Sequence, residues 1–295
     1  MAGGFGIDTN VYALGERVGA EVTFAHVVDA PGQAGCYSAR AFAALGLPTR
    51  AIAALGDDRH GAWVRAELSQ LGIAVTELRD PLGTHRSVNL VGVDGTRRNY
   101  FDARGSATVA VDLEACRATL RGATLLHCHL DDWCRQLLPI ARDEGLRISC
   151  DLQDAVDADD AYRADFVAAA DVLFISAVNL ADPARVALDL AARRPGRMVV
   201  VGAGAEGCLA AVERRVETFS AIDLPRPVVD TNGAGDTLAA TFLASYLVDD
   251  LGLARSVRRA QLAARWICSQ RGDEKAPLPR ARLEALAAIS REPAI

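Results

Sequence analysis

Lysine is all but missing from this chain: Lys275, near the C-terminus, is the only one, and every other strong base is arginine. Schiff-base chemistry and the P-loop lysine of G-x-x-x-x-G-K-[ST] therefore have almost nowhere to come from. No apolar run approaches the ~20 residues that span a bilayer, and no basic stretch precedes an apolar one at the start. A soluble, cytoplasmic protein without a membrane partner is expected. Positive charge is not in excess either. At net charge −6 and pI ≈ 5.4 nothing draws the chain to nucleic acid, and a small molecule is the default partner. The seven cysteines (36, 116, 128, 134, 150, 208, 268) form no C-x-x-C pair and sit among apolar or helical-looking residues, so reduced core thiols are expected rather than disulfides or a zinc site. Low-complexity tracts and repeats of fixed period are also absent, which removes solenoids and arrays.

What is present is an alternation. At 295 residues and 51% hydrophobic, the chain can bury a large core as one domain or one plus an appendage. An apolar helix is expected over 34–45, a strand over 49–54 and a helix over 61–71. Short apolar runs at 124–129, 147–151, 172–176 and 198–201 are then spaced by helix-compatible segments. Strands buried on both faces and separated by helices imply an α/β fold, a doubly wound and mostly parallel sheet flanked by helices. Two stretches, 21–29 and 84–102, look antiparallel instead, the second with Asp94-Gly95-Thr96 as a hairpin turn. They suggest a small β-sheet lid over residues 10–30 and 76–105, with 1–9, 31–75 and 106–295 forming the main nucleotide- and substrate-binding domain. Met1-Ala2-Gly3-Gly4 opens on a glycine-rich turn with no apolar strand before it, so either the sheet starts one strand short or the true start lies upstream.

The chemistry concentrates at Gly233-Ala234-Gly235-Asp236, which leads into an apolar run over 237–248 that reads as a buried helix. Free N–H groups and the positive end of the dipole make a helix N-terminus an anion site, and the glycines let a phosphate approach the backbone. Asp236 could simply stabilise the first turn. A carboxylate beside a phosphate site is better suited to transfer than to binding, because it can take a proton from an attacking hydroxyl while the N–H groups stabilise charge on the phosphoryl group.

Asp230-Thr231-Asn232-Gly233-Ala234-Gly235-Asp236 resembles the C-terminal signature of the ribokinase-like (PfkB) carbohydrate kinases, and the similarity extends across nearly the whole chain. The resemblance implies ATP with Mg²⁺ as cofactor, Asp236 as catalytic base, and Gly233, Ala234 and Gly235 as the anion hole. Asp230 and Asn232 would lie at a monovalent-cation loop, K⁺ being the candidate ion. Met198 to Gly207, with Gly202, Ala203, Gly204 and Gly207, resembles the strand and turn that cradle the nucleotide; Gln261, after Ala260, takes the place of an Asn near adenine. Gly6 and Asp8 match the turn whose acidic residue holds sugar hydroxyls. Leu55-Gly56-Asp57-Asp58, followed by Gly61, is similar to the family's Gly-x-Asp-x-x-Gly turn. Gly32, Gln33, Gly35 and Tyr37 stand where a Gly-Gly…Asn substrate motif is expected, with Gln33 in place of the second glycine and Tyr37 in place of the asparagine. Ser176 and Asn179 stand in place of the usual Asn-x-x-Glu, without its carboxylate. The implied acceptor is a sugar, nucleoside or polyol, with a bulkier wall than a free pentose needs, and the implied assembly is a homodimer through the lid.

Rival signals exist. Gly202 to Gly207 also matches G-x-G-x-x-G, with Asp223 as a ribose-binding acid, which would mean an NAD(P)-dependent oxidoreductase; the strand-like 208–212 argues against the helix that reading needs. His127, His129 and Asp131 could start a metal-hydrolase site. Arg86, Arg97, Arg98 and Arg104 could clamp an acidic substrate or be solvated edge charge. Asp151 and Asp131-Asp132 fall at strand ends where α/β sheets bind ligands. A non-catalytic nucleotide- or sugar-binding relative is the remaining class.

Overall fold

The computed structural model describes residues 1–15, 21–92 and 97–289. The chain begins with β1 (Ala2–Gly3), β2 (Gly6–Ala13), β3 (Ala25–Gly32), α1 (Gln33–Ala44), β4 (Arg50–Leu55), α2 (Arg59–Gln70) and β5 (Ala74–Arg79). It continues through β6 (His85–Val91), β7 (Arg97–Asp102), α3 (Leu113–Leu120), β8 (Leu125–Cys128), α4 (Leu137–Asp143), β9 (Arg147–Asp151) and α5 (Ala164–Ala169). The remainder is β10 (Val172–Ser176), α6 (Pro183–Ala192), β11 (Met198–Gly202), β12 (Cys208–Val212), β13 (Arg215–Phe219), α7 (Ala234–Leu243), α8 (Leu253–Ile267) and α9 (Arg280–Ile289).

Nine strands form the large sheet in the order β13-β12-β11-β10-β9-β8-β1-β4-β5, parallel throughout except for β12 and β13. The apolar runs explain why it is covered on both sides. In β10 and β11, Leu173, Ile175, Val199 and Val201 pack in one core with α3, α4, α5 and α6. Their neighbours Val172, Phe174, Met198 and Val200 pack in another with α1, α7 and α8. Period-2 alternation with apolar residues on both faces is what a strand between two helix layers requires. No helix among the described residues is long and apolar enough to cross a membrane.

The second sheet has the order β3-β2-β6-β7. Its borders differ from the sequence expectation. Residues 76–79 belong to β5, which pairs with β4 in the large sheet from Arg50↔Ala74 to Leu55↔Arg79; as an edge strand with mixed exposure it has the amphipathic look of an antiparallel strand. Conversely, residues 6–9 and 31–32 are in the small sheet, since β2 and β3 pair continuously from Gly6↔Gly32 to Ala13↔Ala25. The turn at 94–96 lies outside the described residues. The first strand of the large sheet is present as two residues only. Ala2 and Gly3 pair with Ile52 and Ala53, and Ala2 also with Cys128, so two buried residues fill the strand position between β8 and β4.

Candidate active site

Asp236 lies in the first turn of α7, partly exposed. Gly233 caps this helix at φ 75°, a left-handed conformation, and a Cβ there would come within 2.5 Å of the Tyr37 ring. Both facts select glycine. By position, the N–H groups of Gly235 and Asp236 have no carbonyl partner inside the helix. Asp151, the last residue of β9, and His129, just past β8, meet Asp236: one oxygen or nitrogen from each lies within 4.8 Å of the others. Removal from water, then the negative charges of Asp151 and Asp8, push the Asp236 carboxyl well above its usual range. Asp151 is raised to about 6, also by burial, and His129 is lowered to about 3 by burial, which keeps it neutral. A proton acceptor therefore faces a neighbour that makes it more basic. This is the arrangement of a general base.

The residues matched to the substrate motif converge on Asp8, which is almost fully buried. Gln33 Nε2 donates to Asp8 Oδ1 at 2.8 Å, Tyr37 Oη to Oδ2 at 2.8 Å, and Asn232 Nδ2 to Oδ2 at 3.0 Å. Gln33 also donates to Ser87 Oγ at 2.9 Å and holds φ 65°, a left-handed conformation that glycine adopts at least cost. Gly6, Gly32 and Gly35 are buried against protein atoms of His85, Asp8 and Gly4 respectively. Thus the chain's own side chains close the floor around Asp8. Burial pushes its carboxyl up against the opposing effect of these hydrogen bonds.

Asn232 ties this floor to the anion loop and to the small sheet. Its Oδ1 accepts from Arg97 Nη1 at 2.7 Å, and Arg97 also donates to Asn89 Oδ1 at 3.1 Å. Asn99 donates to Asn89 at 2.9 Å and Asn89 to Asn10 at 3.1 Å, a ladder across β7, β6 and β2 on the sheet face turned toward Asn232. None of these asparagines carries a sequence signature; only the alternation of β2, once known to be a strand, would have grouped Asp8 and Asn10. Phe101 shares that face by alternation with Asn99 and is 55% exposed. The other arginines of this region are engaged locally, Arg86 with Thr9, Arg104 with Asp102, and Arg98 over the Tyr100 ring.

Asp230 is also fully buried. Tyr12 Oη donates to its Oδ2 at 2.8 Å and the Asn232 N–H to its Oδ1 at 2.8 Å. Lys275 Nζ donates to the backbone oxygens of Asp230 at 2.8 Å and Asn232 at 2.5 Å, and lies 3.5 Å from Asp230 Oδ2. Burial lowers the Lys275 pKa, and Asp230 opposes that.

The stretch matched to a nucleotide cradle, Gly202 to Gly207, forms the turn between antiparallel β11 and β12, with Gly202 opposite Cys208. No helix follows, so this is not a dinucleotide βαβ unit, and Asp223 pairs with Arg265 at 3.2 Å. Ser176 Oγ caps the next turn by accepting from the Val178 N–H at 3.3 Å, and Asn179 Nδ2 donates to the Asp154 carbonyl at 2.8 Å. Gln261, on α8, donates to the Phe219 carbonyl at 3.3 Å and lines a cavity of about 1190 Å³ with Phe219, Ser220, Ile222 and Arg258. His127 bonds Ser149 and packs edge-on to Phe42 and Phe174.

A sequence model described as pfkB family carbohydrate kinase matches residues 7–281. Acarbose 7(IV)-phosphotransferase of Actinoplanes sp. is 31% identical over 292 residues, 96% of each chain. Among solved structures, the microbiome-derived acarbose kinase Mak1 is 32% identical with a TM-score of 0.88 over 97% of both chains. The ribokinase of Giardia lamblia, at 17% identity and TM-score 0.82 over 97% of this chain and 98% of its own, shares the fold.

Proposed function

Because the chain belongs to the pfkB family of carbohydrate kinases, we propose that it transfers the γ-phosphoryl group of ATP to a hydroxyl of an acarbose-like oligosaccharide, with Asp236 as general base. The observation that carries this reading is the Asp236 carboxylate, raised in basicity by burial and by Asp151, at the N-terminus of α7. Asp236 accepts the hydroxyl proton as the new O–P bond forms and the bond to the β–γ bridging oxygen breaks, releasing ADP. The N–H groups beside Gly233, Ala234 and Gly235 stabilise charge on the phosphoryl oxygens. Mg²⁺ accompanying ATP offsets phosphate charge when bound, and Asp151 is the carboxylate suited to hold it or its water, since Ser176 and Asn179 carry none. Gly202, Ala203, Gly204, Gly207 and Gln261 bound the nucleotide side.

The closed floor supports this acceptor class. With Gln33 and Tyr37 bonded to Asp8, a pentose has little to bind at depth, whereas a longer saccharide reaches over it toward exposed Phe101, an apolar face for sugar rings. The two relatives named above at 31% and 32% identity bear acarbose in their names, in line with this. The small sheet serves as a lid and its outer face as the contact with a second copy.

ADP release with MgATP should occur with acarbose or maltooligosaccharides and be weak with ribose and inosine. Ready turnover of ribose with none of the oligosaccharides would sink the acceptor assignment. Asp236→Asn should lower kcat by ~10² to 10⁴ with nucleotide affinity nearly kept; unchanged turnover would remove Asp236 as the base.

A further inference from the structure

The sole lysine of a chain with 31 arginines is fully buried against the loop that leads into the anion hole. Its ammonium meets two backbone oxygens and one carboxylate oxygen, all from Asp230 and Asn232. Backbone carbonyls and a carboxylate turned on one point are a ligand set for a hard cation. The residues that resemblance assigns to a diffusible monovalent ion therefore do not fit one here, because a side-chain cation already takes their oxygens. We infer that Lys275 is a tethered substitute for that ion, and that this kinase does not depend on K⁺.

Three features support a cation's role over that of an ordinary ion pair. The two shortest contacts are to backbone oxygens, not to the carboxylate, so the ammonium fixes the path of the loop itself. A compact ammonium with three donors can replace a spherical ion, whereas the planar guanidinium cannot, which accounts for lysine in a chain that otherwise uses arginine. The lysine is also held from behind. It follows the turn Gly272–Glu274, where the Gly272 N–H donates to Tyr12 Oη at 2.6 Å while Tyr12 donates to Asp230. The positive charge thus stands against the residues three and one before Gly233, where its orientation of the 230 and 232 peptides sets how the following N–H groups are presented. The inference rests on the reading of 233–236 as the phosphoryl site only for its catalytic part.

Melting temperature separates the two. Wild-type protein should melt and turn over equally in K⁺ and choline at matched ionic strength, and ²⁰⁵Tl⁺ NMR should find no bound ion. Lys275→Ala should lose at least about tenfold in kcat/KM in choline and regain both turnover and melting temperature as K⁺ rises. A rise in melting temperature with K⁺ alone, without turnover, would still establish the cation site and would move the failure to the catalytic reading. A K⁺-specific rise in wild-type activity or melting temperature, or bound Tl⁺, would overturn the inference. So would Lys275→Ala protein that is indifferent to K⁺ or remains unfolded in it.

Discussion

Asp236 and Asp151 are two carboxyl groups whose environments raise both, and a pair this close titrates as a unit. The acid limb of kcat/KM should therefore report the pair. The sign follows from the cause. As the proposed general base, Asp236 would act deprotonated; burial and Asp151 both favour its protonated form, so activity should fall as pH drops through a raised pKa. Asp151→Asn keeps shape and removes one negative neighbour, so Asp236 should stay ionised to lower pH. The expected result is an acid limb displaced to lower pH together with a reduced plateau if Asp151 also holds Mg²⁺. An acid limb that stays in place would show that Asp151 does not set the basicity of Asp236. Gln33 and Tyr37 make the complementary point about specificity: both fill space and bond a carboxylate that resemblance alone would have turned toward the sugar.

At the scale of elements, Asp58 shows how a turn is fixed by hydrogen bonds. It caps α2 by accepting from the Gly61 N–H at 2.8 Å, and it also accepts from the Thr84 N–H and hydroxyl, each at 2.8 Å. Burial opposes ionisation, yet these three bonds hold the carboxyl down at about 2. A folded-state pKa below the unfolded value means stability present above about pH 4 and lost as pH falls toward 2. Asp58→Asn should therefore melt below wild type at pH 6, and the gap should close as both are acidified through that window. A gap independent of pH would assign the effect to lost geometry, not charge.

The elements also show what the sequence could and could not disclose. Helices and buried parallel strands were legible to within a few residues because a strand covered on both faces is a continuous apolar run; 147–151 and 172–176 match β9 and β10 to the residue. The two-residue β1 has no period to read. In β2, Gly6 and the polar residues Asp8 and Asn10 hide a strand whose inner face bonds rather than packs. At the site, 233–236 was legible because a glycine-rich helix start joined to a carboxylate is a local pattern. The ladder Asn99, Asn89, Asn10 and the reach of Lys275 to 230–232 are products of register and of a 45-residue separation, which no local pattern records.

Across the whole molecule, the two faces of the small sheet have opposite chemistry, and alternation assigns them. Asp8, Asn10 and Tyr12 point toward the large domain, where Asn232, Asp230 and Gly272 meet them. Thr9 and Val11 must then point away. Register carries that outer face across three strands: Val27 pairs with Val11, and Val11 with Leu90. Val88 and Tyr100 form the adjoining row. Val27, Leu90 and Tyr100 are 63%, 41% and 53% exposed. A contiguous apolar stripe on a sheet is what a partner covers. A two-fold axis would let the same stripe meet itself, bringing one copy's lid against the other's. Leu90→Lys, beside Arg98 in its row, would add a further cation from each copy to that contact and should convert a dimer to a monomer by light scattering after size exclusion. Wild-type protein that is already monomeric at micromolar concentration would refute the contact, and a Leu90→Lys dimer would place it on another face. Because Asn89 and Leu90 are consecutive in β6, a face held by a second copy also steadies the Asn89 end of the ladder that reaches Asn232; in the monomer, KM for the acceptor should rise before kcat falls.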